Sequence, residues 1–595
     1  MKKRSETVNE LAQELGQRKA RRRTRFLAVV LGLWAAGILG KLVYLQAFQH
    51  AKMRDQVVRQ SEKRVVVKAE RGTIYDRRGY ILAQSVSSFS IVYRQEKSAP
   101  LDARMAPVLK AAPLLGIGPE DLEKRRLQVV NGSEFIFLRR EVDLETARRF
   151  QEAKIRGLSY EEERRRFYPH GTLAAHVLGG VNHDEKGLAG VEFYFNAALG
   201  GRPGERRVLR DGNGREYNVE AVASPKPGQD IVLTLDHIIQ YEAQSALERA
   251  AAEHEAEWGT VIVSVPATGE VLAMASVPGY DPNAYAAAKH EQWVDRSVRH
   301  LFDPGSTFKV VTAATVLENG VVLPGESFNC AADAIKIPGG PIRDHEAFGV
   351  LTFADVIAHS SNIGTIQAAR RLEPDLFYRS IRDFGFGERT GVELPAEAAG
   401  LLAPPEKWSG RSLESLSVGY EITVTAVQLL QALNIIANRG ERVGLNLLKS
   451  VGGRPRPVEP SSPLPTPVSP EAAESLIRIL VRAVDEGTGT GARLPGYSVA
   501  GKTGTAQLYD PAAGRYTAAR HLAAFVGFVP ADRPAVSILV ILSDPKKKDI
   551  YYGGQVAAPI FREIALKVLR YLGVHPGTDR PATGITARLR DEAKR

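Results

Sequence analysis

An unbroken apolar run close to one end of the chain limits what this sequence can fold into. Residues 26–40 (FLAVVLGLWAAGILG) carry no charge, and after Lys41 the run continues as LVYLQAF through residue 48. About 22 such residues suffice to span a bilayer. Lys41 lies near the far end, where its stem lets the ammonium reach the interface, and Tyr44 and Phe48 suit the aromatic belt there. A removable signal peptide has a shorter apolar core and a small-x-small cleavage site; Gln46-Ala47-Phe48 is a poor one. Residues 26–48 are therefore expected to be an uncleaved transmembrane anchor.

The charge pattern supports this. Lysine and arginine number 79 against 68 aspartates and glutamates, a net +11. Residues 1–25 hold nine basic and three acidic residues, +6 in a short tail. Such a cluster can bind nucleic acid. Immediately before an apolar span it reads instead as the cytoplasmic flank, which places the rest of the chain outside the inner membrane. With 44% hydrophobic and 25% charged residues the remainder is globular rather than disordered. The one cysteine, Cys330, cannot form an internal disulfide and is expected to be a buried small residue. His170, His176 and His183 lack a compact ligand spacing, so no metal site is expected.

Beyond the anchor, residues 49–68 read as a helix turning into a strand. Residues 71–83 read as a hairpin with Gly79 in its turn. Residues 100–165 read as short helices and charged loops. A new unit opens near residue 222: a strand at 231–235, then an amphipathic helix over 236–256 with Asp236 as its N-cap. Strands at 259–265 and 270–277 follow, joined by Pro266-Ala267-Thr268-Gly269. This is an α/β pattern with a local antiparallel sheet. Residues 455–470 are a proline-rich surface loop. Strands recur over 498–500, 523–529 and 535–542, then a last helix spans 557–572 and a loose polar tail ends the chain.

Three short elements carry chemistry. Ser306-Thr307-Phe308-Lys309 opens an apolar helical run after the turn Asp303-Pro304-Gly305, and residues three apart share a helix face. Serine is a weak nucleophile without a neighbouring base, and lysine can be that base only when neutral. Ser360 and Asn362, two apart in a loop, can face one cavity. Lys502-Thr503-Gly504-Thr505 lies on a strand, where alternation puts Lys502 and Gly504 on one face and Thr503 and Thr505 on the other. Taken singly, each has a plain structural use: an N-cap serine beside an exposed lysine, a helix-end cap, an edge strand with a glycine bulge. Gly487-Thr488-Gly489-Thr490-Gly491 lacks the lysine of a phosphate loop and reads as the turn before the Lys502 strand.

Together and in this order, S-x-x-K, S-x-N and K-T-G are the motif set of penicillin-binding proteins and serine β-lactamases. The chain resembles a class B penicillin-binding protein over about residues 20–573. Arg71-Gly72, Asp76-Arg77, Arg166-Phe167-Tyr168-Pro169 and Gly190-Val191-Glu192 match patterns of that family's pedestal. Ile342-Arg343-Asp344, Asp383-Phe384-Gly385-Phe386-Gly387, Val418-Gly419-Tyr420, Thr425-Ala426-Val427-Gln428-Leu429 and Gly487-Thr488-Gly489 resemble the septal, cell-division branch. Two features depart from it: Glu421 stands where that branch commonly has glycine, and the proline-rich loop is short.

The resemblance implies a penicillin-binding transpeptidase fold, an antiparallel sheet flanked by helices plus an all-helical subdomain, carried on an α+β pedestal. The expected domains are a basic tail (1–25), anchor (26–48), pedestal (49–221), transpeptidase domain (222–573) and flexible tail (574–595). It further implies a peptidoglycan D,D-transpeptidase acting on stem peptides that end in D-Ala-D-Ala. Ser306 is the implied nucleophile, Lys309 its base, kept neutral by burial and by the Lys502 charge. Ser360 is the implied proton relay, Asn362 a backbone ligand, and Lys502 with Thr503, Gly504 and Thr505 the carboxylate site. β-Lactams are the implied inhibitors, no cofactor or nucleic acid is needed, and the implied partners are a SEDS-type glycosyltransferase and other division proteins. The elongation-type class B enzyme is the nearest alternative, followed by a D,D-carboxypeptidase or β-lactamase and by a penicillin-binding sensor.

Overall fold

A computed structural model describes residues 2–53, 62–96, 98–133, 135–210, 216–338, 340–456, 466–510, 515–546 and 551–577. Most of the proline-rich stretch (457–465), residues 54–61 of the expected helix after the anchor, and most of the expected loose tail (578–595) lie outside the described residues. By their contacts the residues divide into two units, Met1–Ala69 with Arg202–Lys226, and Glu70–Gly201 with Pro227–Arg595.

The first unit contains one long helix, Lys2–Ala47, so the basic tail and the apolar run are a single element. Within it Gly16–Ala47 is long and apolar enough to cross a membrane, and its most apolar window is not buried against protein. Glu62–Val67 pairs with Gly204–Arg210, which pairs with Glu216–Ala223, in a three-stranded antiparallel sheet.

The second unit is organised by a five-stranded antiparallel sheet in the order Val271–Val277, Trp258–Ser264, Val536–Ser543, Arg515–Val529, Ala500–Asp510. Every residue of Trp258–Ser264, Val271–Val277 and Val536–Ser543 is buried. That requires apolar packing on both faces and explains why these strands read as continuous apolar runs. Alternate residues enter different cores. Val261, Val263, Ile538 and Val540 join the helices His237–Glu253 and Gly553–Tyr571, whereas Ile262, Leu539 and Ile541 join the fully buried helix Ala426–Ala437. Asp236 caps its helix as expected, accepting from Ile238 N at 3.1 Å and Ile239 N at 3.4 Å. Cys330 is buried.

A second, seven-stranded sheet was only partly foreseeable. The hairpin forms as expected, with Ile74 opposite Ala83 and Gly79 at φ +89°. Ile74–Tyr75 also pairs in parallel with Ile231–Leu233, and Leu448–Val451 extends that edge. Residues 100–165, read as helices and loops, also contain the strands Phe135–Val142 and Leu158–Phe167, both paired with Ile81–Arg94. Leu158–Phe167 (LSYEEERRRF) holds its place by backbone hydrogen bonding, and its charged residues range from exposed (Glu162, Arg164) to buried (Arg166), so no apolar alternation marks it.

Three of the four pedestal patterns meet in one buried ion cluster. Arg71 Nε donates to Glu192 Oε2 at 2.7 Å, and Arg166 Nε donates to Glu192 Oε1 at 2.6 Å. Arg71 also donates to the Glu192 carbonyl at 2.8 Å and to Asn196 Oδ1 at 2.9 Å. All three charged side chains are buried. Removing one member of such a cluster strands the others without water, at about 3–5 kcal/mol. Glu192→Ala is therefore expected to lower the unfolding free energy of the detergent-solubilised protein by about that amount in a urea titration, several times the loss from removing the exposed Glu123–Arg126 pair.

Candidate active site

The segment that carries Ser306, the expected nucleophile, is not an α-helix at its start. Gly305–Phe308 is a 3-10 turn, and the α-helix Lys309–Glu318 begins directly after it. A 3-10 turn has three residues per turn, so positions i and i+3 eclipse. Ser306 and Lys309 thus share a face, as their spacing predicts, but with different surroundings: Ser306 is half-buried at the mouth and Lys309 is completely buried. The turn is held from two sides by glycine. A Cβ on Gly419 would lie 2.1 Å from Gly305 O, and one on Gly504 would lie 2.7 Å from Thr307 Cγ2.

Ser360 is the centre of the arrangement. It lies between the helices Phe353–Ala358 and Asn362–Ala369 in a left-handed conformation, φ +62°. Such a backbone costs a residue with a side chain about 1–2 kcal/mol. It turns the hydroxyl toward two lysines: Lys502 Nζ donates to Ser360 Oγ at 2.9 Å and Lys309 Nζ at 3.3 Å. Lys309 Nζ also donates to Ser360 O at 2.6 Å and to Asn362 Oδ1 at 2.7 Å, while Lys502 Nζ donates to Thr503 O at 3.1 Å. Among the described residues Ser306 Oγ makes no hydrogen bond, because the Lys309 ammonium is drawn to the Ser360 and Asn362 oxygens.

Both lysines are 0% exposed. Burial brings Lys309 down, and with the opposing negative charge of Asp344 included it comes to about 7. Burial drives Lys502 well below its ordinary value, and the charge of Lys309 drives it further. Burial, one of the two causes expected for a neutral Lys309, is the larger for both lysines, and their mutual repulsion opposes both being charged at once.

Asp344 fixes the other side. Its Oδ2 accepts from Ser361 Oγ at 2.7 Å, and its Oδ1 accepts from the backbone N–H of Asn362 and, at 3.1 Å, of Ile363. Asn362 Nδ2 donates to Arg343 O at 2.6 Å. Both ends of the Asn362 amide are thus anchored, which orients it toward Lys309. Motif matching quoted Asp344 without giving it a task; its distance along the chain from Asn362 concealed the contact. Thr488 was likewise read only as part of a turn, yet its Oγ1 lies 2.6 Å from Thr503 Oγ1.

Ser306, Ser360, Asn362, Thr503 and Thr505 line a single cleft of about 1060 Å³. Lys309 and Lys502 sit behind its wall and reach Ser360 from there, and Gly504 packs beneath Ser306's turn. Ala500–Asp510 is the outer strand of the central sheet, so its edge faces this space. The arrangement suits acyl transfer: a serine at a cleft mouth, a depressed lysine one turn behind it, and a hydroxyl able to pass protons between two amines.

Known proteins share this organisation. Residues 259–566 match the penicillin-binding protein transpeptidase domain, and residues 66–233 match the penicillin-binding protein dimerisation domain. The peptidoglycan D,D-transpeptidase FtsI of Escherichia coli is 32% identical over 91% of this chain and 90% of its own. The probable peptidoglycan D,D-transpeptidase PbpC of Pseudomonas aeruginosa is 33% identical over 94% and 98%. The solved structure of penicillin-binding protein 3 of Mycobacterium tuberculosis complexed with ampicillin superposes with a TM-score of 0.67, at 29% identity, over 87% of this chain and 98% of that one.

The lysine environment gives a pH prediction. Only neutral Lys309 can accept the Ser306 proton, so the rate at which an activated acyl reagent modifies Ser306 is expected to rise with pH through about 7 and then level. Asp344 favours the charged form of Lys309, so Asp344→Asn is expected to move that rise to lower pH; stopped-flow acylation across a pH series reads both.

Proposed function

The chain belongs to the class B penicillin-binding transpeptidases, and from that membership we infer that its cross-linking of peptidoglycan serves the septum during cell division. It is a peptidoglycan D,D-transpeptidase with a candidate membrane anchor at its N-terminal helix. The basic flank of that helix supports a cytoplasmic N-terminus with the catalytic residues on the outer side. The similarity to FtsI and the quoted motifs of that branch support the septal assignment over the elongation one.

The observation that carries the mechanism is the Ser360 hydroxyl held between two completely buried lysines beside Ser306. Ser306 Oγ attacks the carbonyl of the penultimate D-alanine of a donor stem peptide, and Lys309 takes its proton. The C–N bond to the terminal D-alanine breaks. The departing amine receives a proton relayed through Ser360, which Lys309 and Lys502 flank. An amine from a neighbouring stem peptide then attacks the Ser306 ester, forming the cross-link and returning the proton to Ser306. The backbone N–H groups of Ser306 and Thr505 form the oxyanion hole; a donor of that kind is worth about 100- to 1000-fold in rate. Asn362 binds the peptide backbone, and Thr503 and Thr505 bind the terminal carboxylate; Lys502, buried behind the cleft wall, acts through Ser360 rather than on the carboxylate, and Gly504 allows the strand to approach the nucleophile. A β-lactam acylates Ser306 by the same attack and stays attached. The anchor and the dimerisation domain engage a SEDS-type glycosyltransferase and other division proteins.

Incubation of the purified protein with lipid-linked glycan and a partner synthase is expected to yield cross-linked dimers. Ser306→Ala abolishes them while leaving the thermal midpoint within a few degrees; persistence of product in the variant contradicts the site. A fluorescent fusion is expected at the mid-cell ring, and an even side-wall distribution contradicts the septal role.

A further inference from the structure

Glu421, on one wall of the cleft, keeps a left-handed backbone conformation, φ +59°. Residues with side chains avoid that region, and where they persist in it they cluster at functional sites. The carboxylate is only partly used by the fold. Its Oε2 accepts from Ser412 Oγ at 2.6 Å, its Oε1 lies 3.4 Å from Arg411 Nε, and the side chain is 37% exposed. Arg411 Nε also donates to Ser415 Oγ at 3.1 Å. Among the described residues, the two Nη groups of Arg411 make no hydrogen bond. Glu421 and Arg411 both line the cleft that holds Ser306. A planar guanidinium fork and a carboxylate thus stand side by side with open valences.

The position of this pair along the cleft identifies what reaches it. Tyr420 hydrogen-bonds the backbone of Gln507, which puts the Glu421 wall beside the Gln507 end of the outer strand. A donor peptide with its terminal carboxylate at Thr503 and Thr505, lying antiparallel on that edge, runs toward Gln507 as it is followed back from its end. At about 3.4 Å per residue, the residue just before D-Ala-D-Ala reaches that end. A guanidinium takes a carboxylate in a two-pronged grip, and a carboxylate takes an ammonium.

We propose that Arg411 and Glu421 form the subsite for the side chain of the residue preceding D-Ala-D-Ala in the donor. The pair selects a side chain that ends in an ammonium and a carboxylate on one carbon over a side chain that ends in an ammonium alone. This rests on the D,D-transpeptidase reading of the same cleft.

The test uses the full-length protein in detergent and two synthetic pentapeptides ending in D-Ala-D-Ala. One carries meso-diaminopimelate before that pair, the other L-lysine, and glycinamide serves as the acceptor amine. The readout is kcat/KM for D-alanine release. Wild type is expected to favour the diaminopimelate peptide by about tenfold or more, the scale of a charge-assisted hydrogen bond. Glu421→Gln and Arg411→Gln are each expected to reduce that ratio to about threefold or less. Glu421→Gly gives a second carboxylate-free variant whose backbone fits the left-handed position without strain. Equal use of both peptides by wild type, or a preference that survives all three substitutions, overturns the subsite. Absence of release from both peptides beside intact penicillin labelling overturns the transpeptidase reading, and the subsite with it.

Discussion

The site depends on the removal of two lysine ammoniums from water around one serine hydroxyl. Lys309 and Lys502 are both completely buried, and both reach Ser360 Oγ. Two positive charges cannot share so dry a space cheaply, so at least one amine gives up its proton. That cost turns an ordinary lysine into a base. Much of the surrounding structure keeps it in place: the left-handed Ser360 that points its hydroxyl inward, Asp344 that pins Ser361 and Asn362, and the central sheet that brings Lys502 to the same point.

The packing explains why the three motif segments, far apart in sequence, meet accurately. Ala500–Asp510 is pinned by Arg515–Val529 along most of its length. The 3-10 turn of Ser306 lies against that strand at Gly504, where the Thr307 methyl fills the space of a side chain, and against the 419–421 loop at Gly419, where the backbones approach too closely for one. Ser360 rests between two helices of the all-helical part. Each segment is therefore mounted on a different rigid layer, and the cleft is the place where the layers meet. A substitution that thickens either glycine is expected to move Ser306 without touching the lysines or Ser360.

The central sheet was legible in the sequence because burial on both faces writes a continuous apolar run, as at Trp258–Ser264 and Val536–Ser543. Leu158–Phe167 was not, because a strand of mostly charged residues at mixed depths of burial carries no apolar signature. The Arg71–Glu192–Arg166 cluster was visible as three separate patterns, but charges far apart in sequence do not announce that they will be buried together. In the site, the three motif segments were readable as a known motif set, through the family resemblance; singly each had a plain structural use. Burial of Lys309 was expected through the same resemblance, but that it outweighs the pull of Asp344 was not, since burial is a property of the packed chain. Nor was the task of Asp344, whose partners lie in a different segment. Glu421 was noticed only as a departure; its left-handed backbone and its place beside Arg411 came with the fold.

The account places a single acyl-accepting hydroxyl at Ser306, with Ser360 as a relay that is never acylated. Both serines line the same cleft, and Ser360 has the more strongly basic surroundings, so the distinction is not trivial. Peptide mapping by mass spectrometry after brief exposure of the intact protein to a β-lactam tests it most directly. The account predicts one covalent adduct, on the peptide containing Ser306. An adduct on the Ser360 peptide, with Ser306 unmodified, would contradict it.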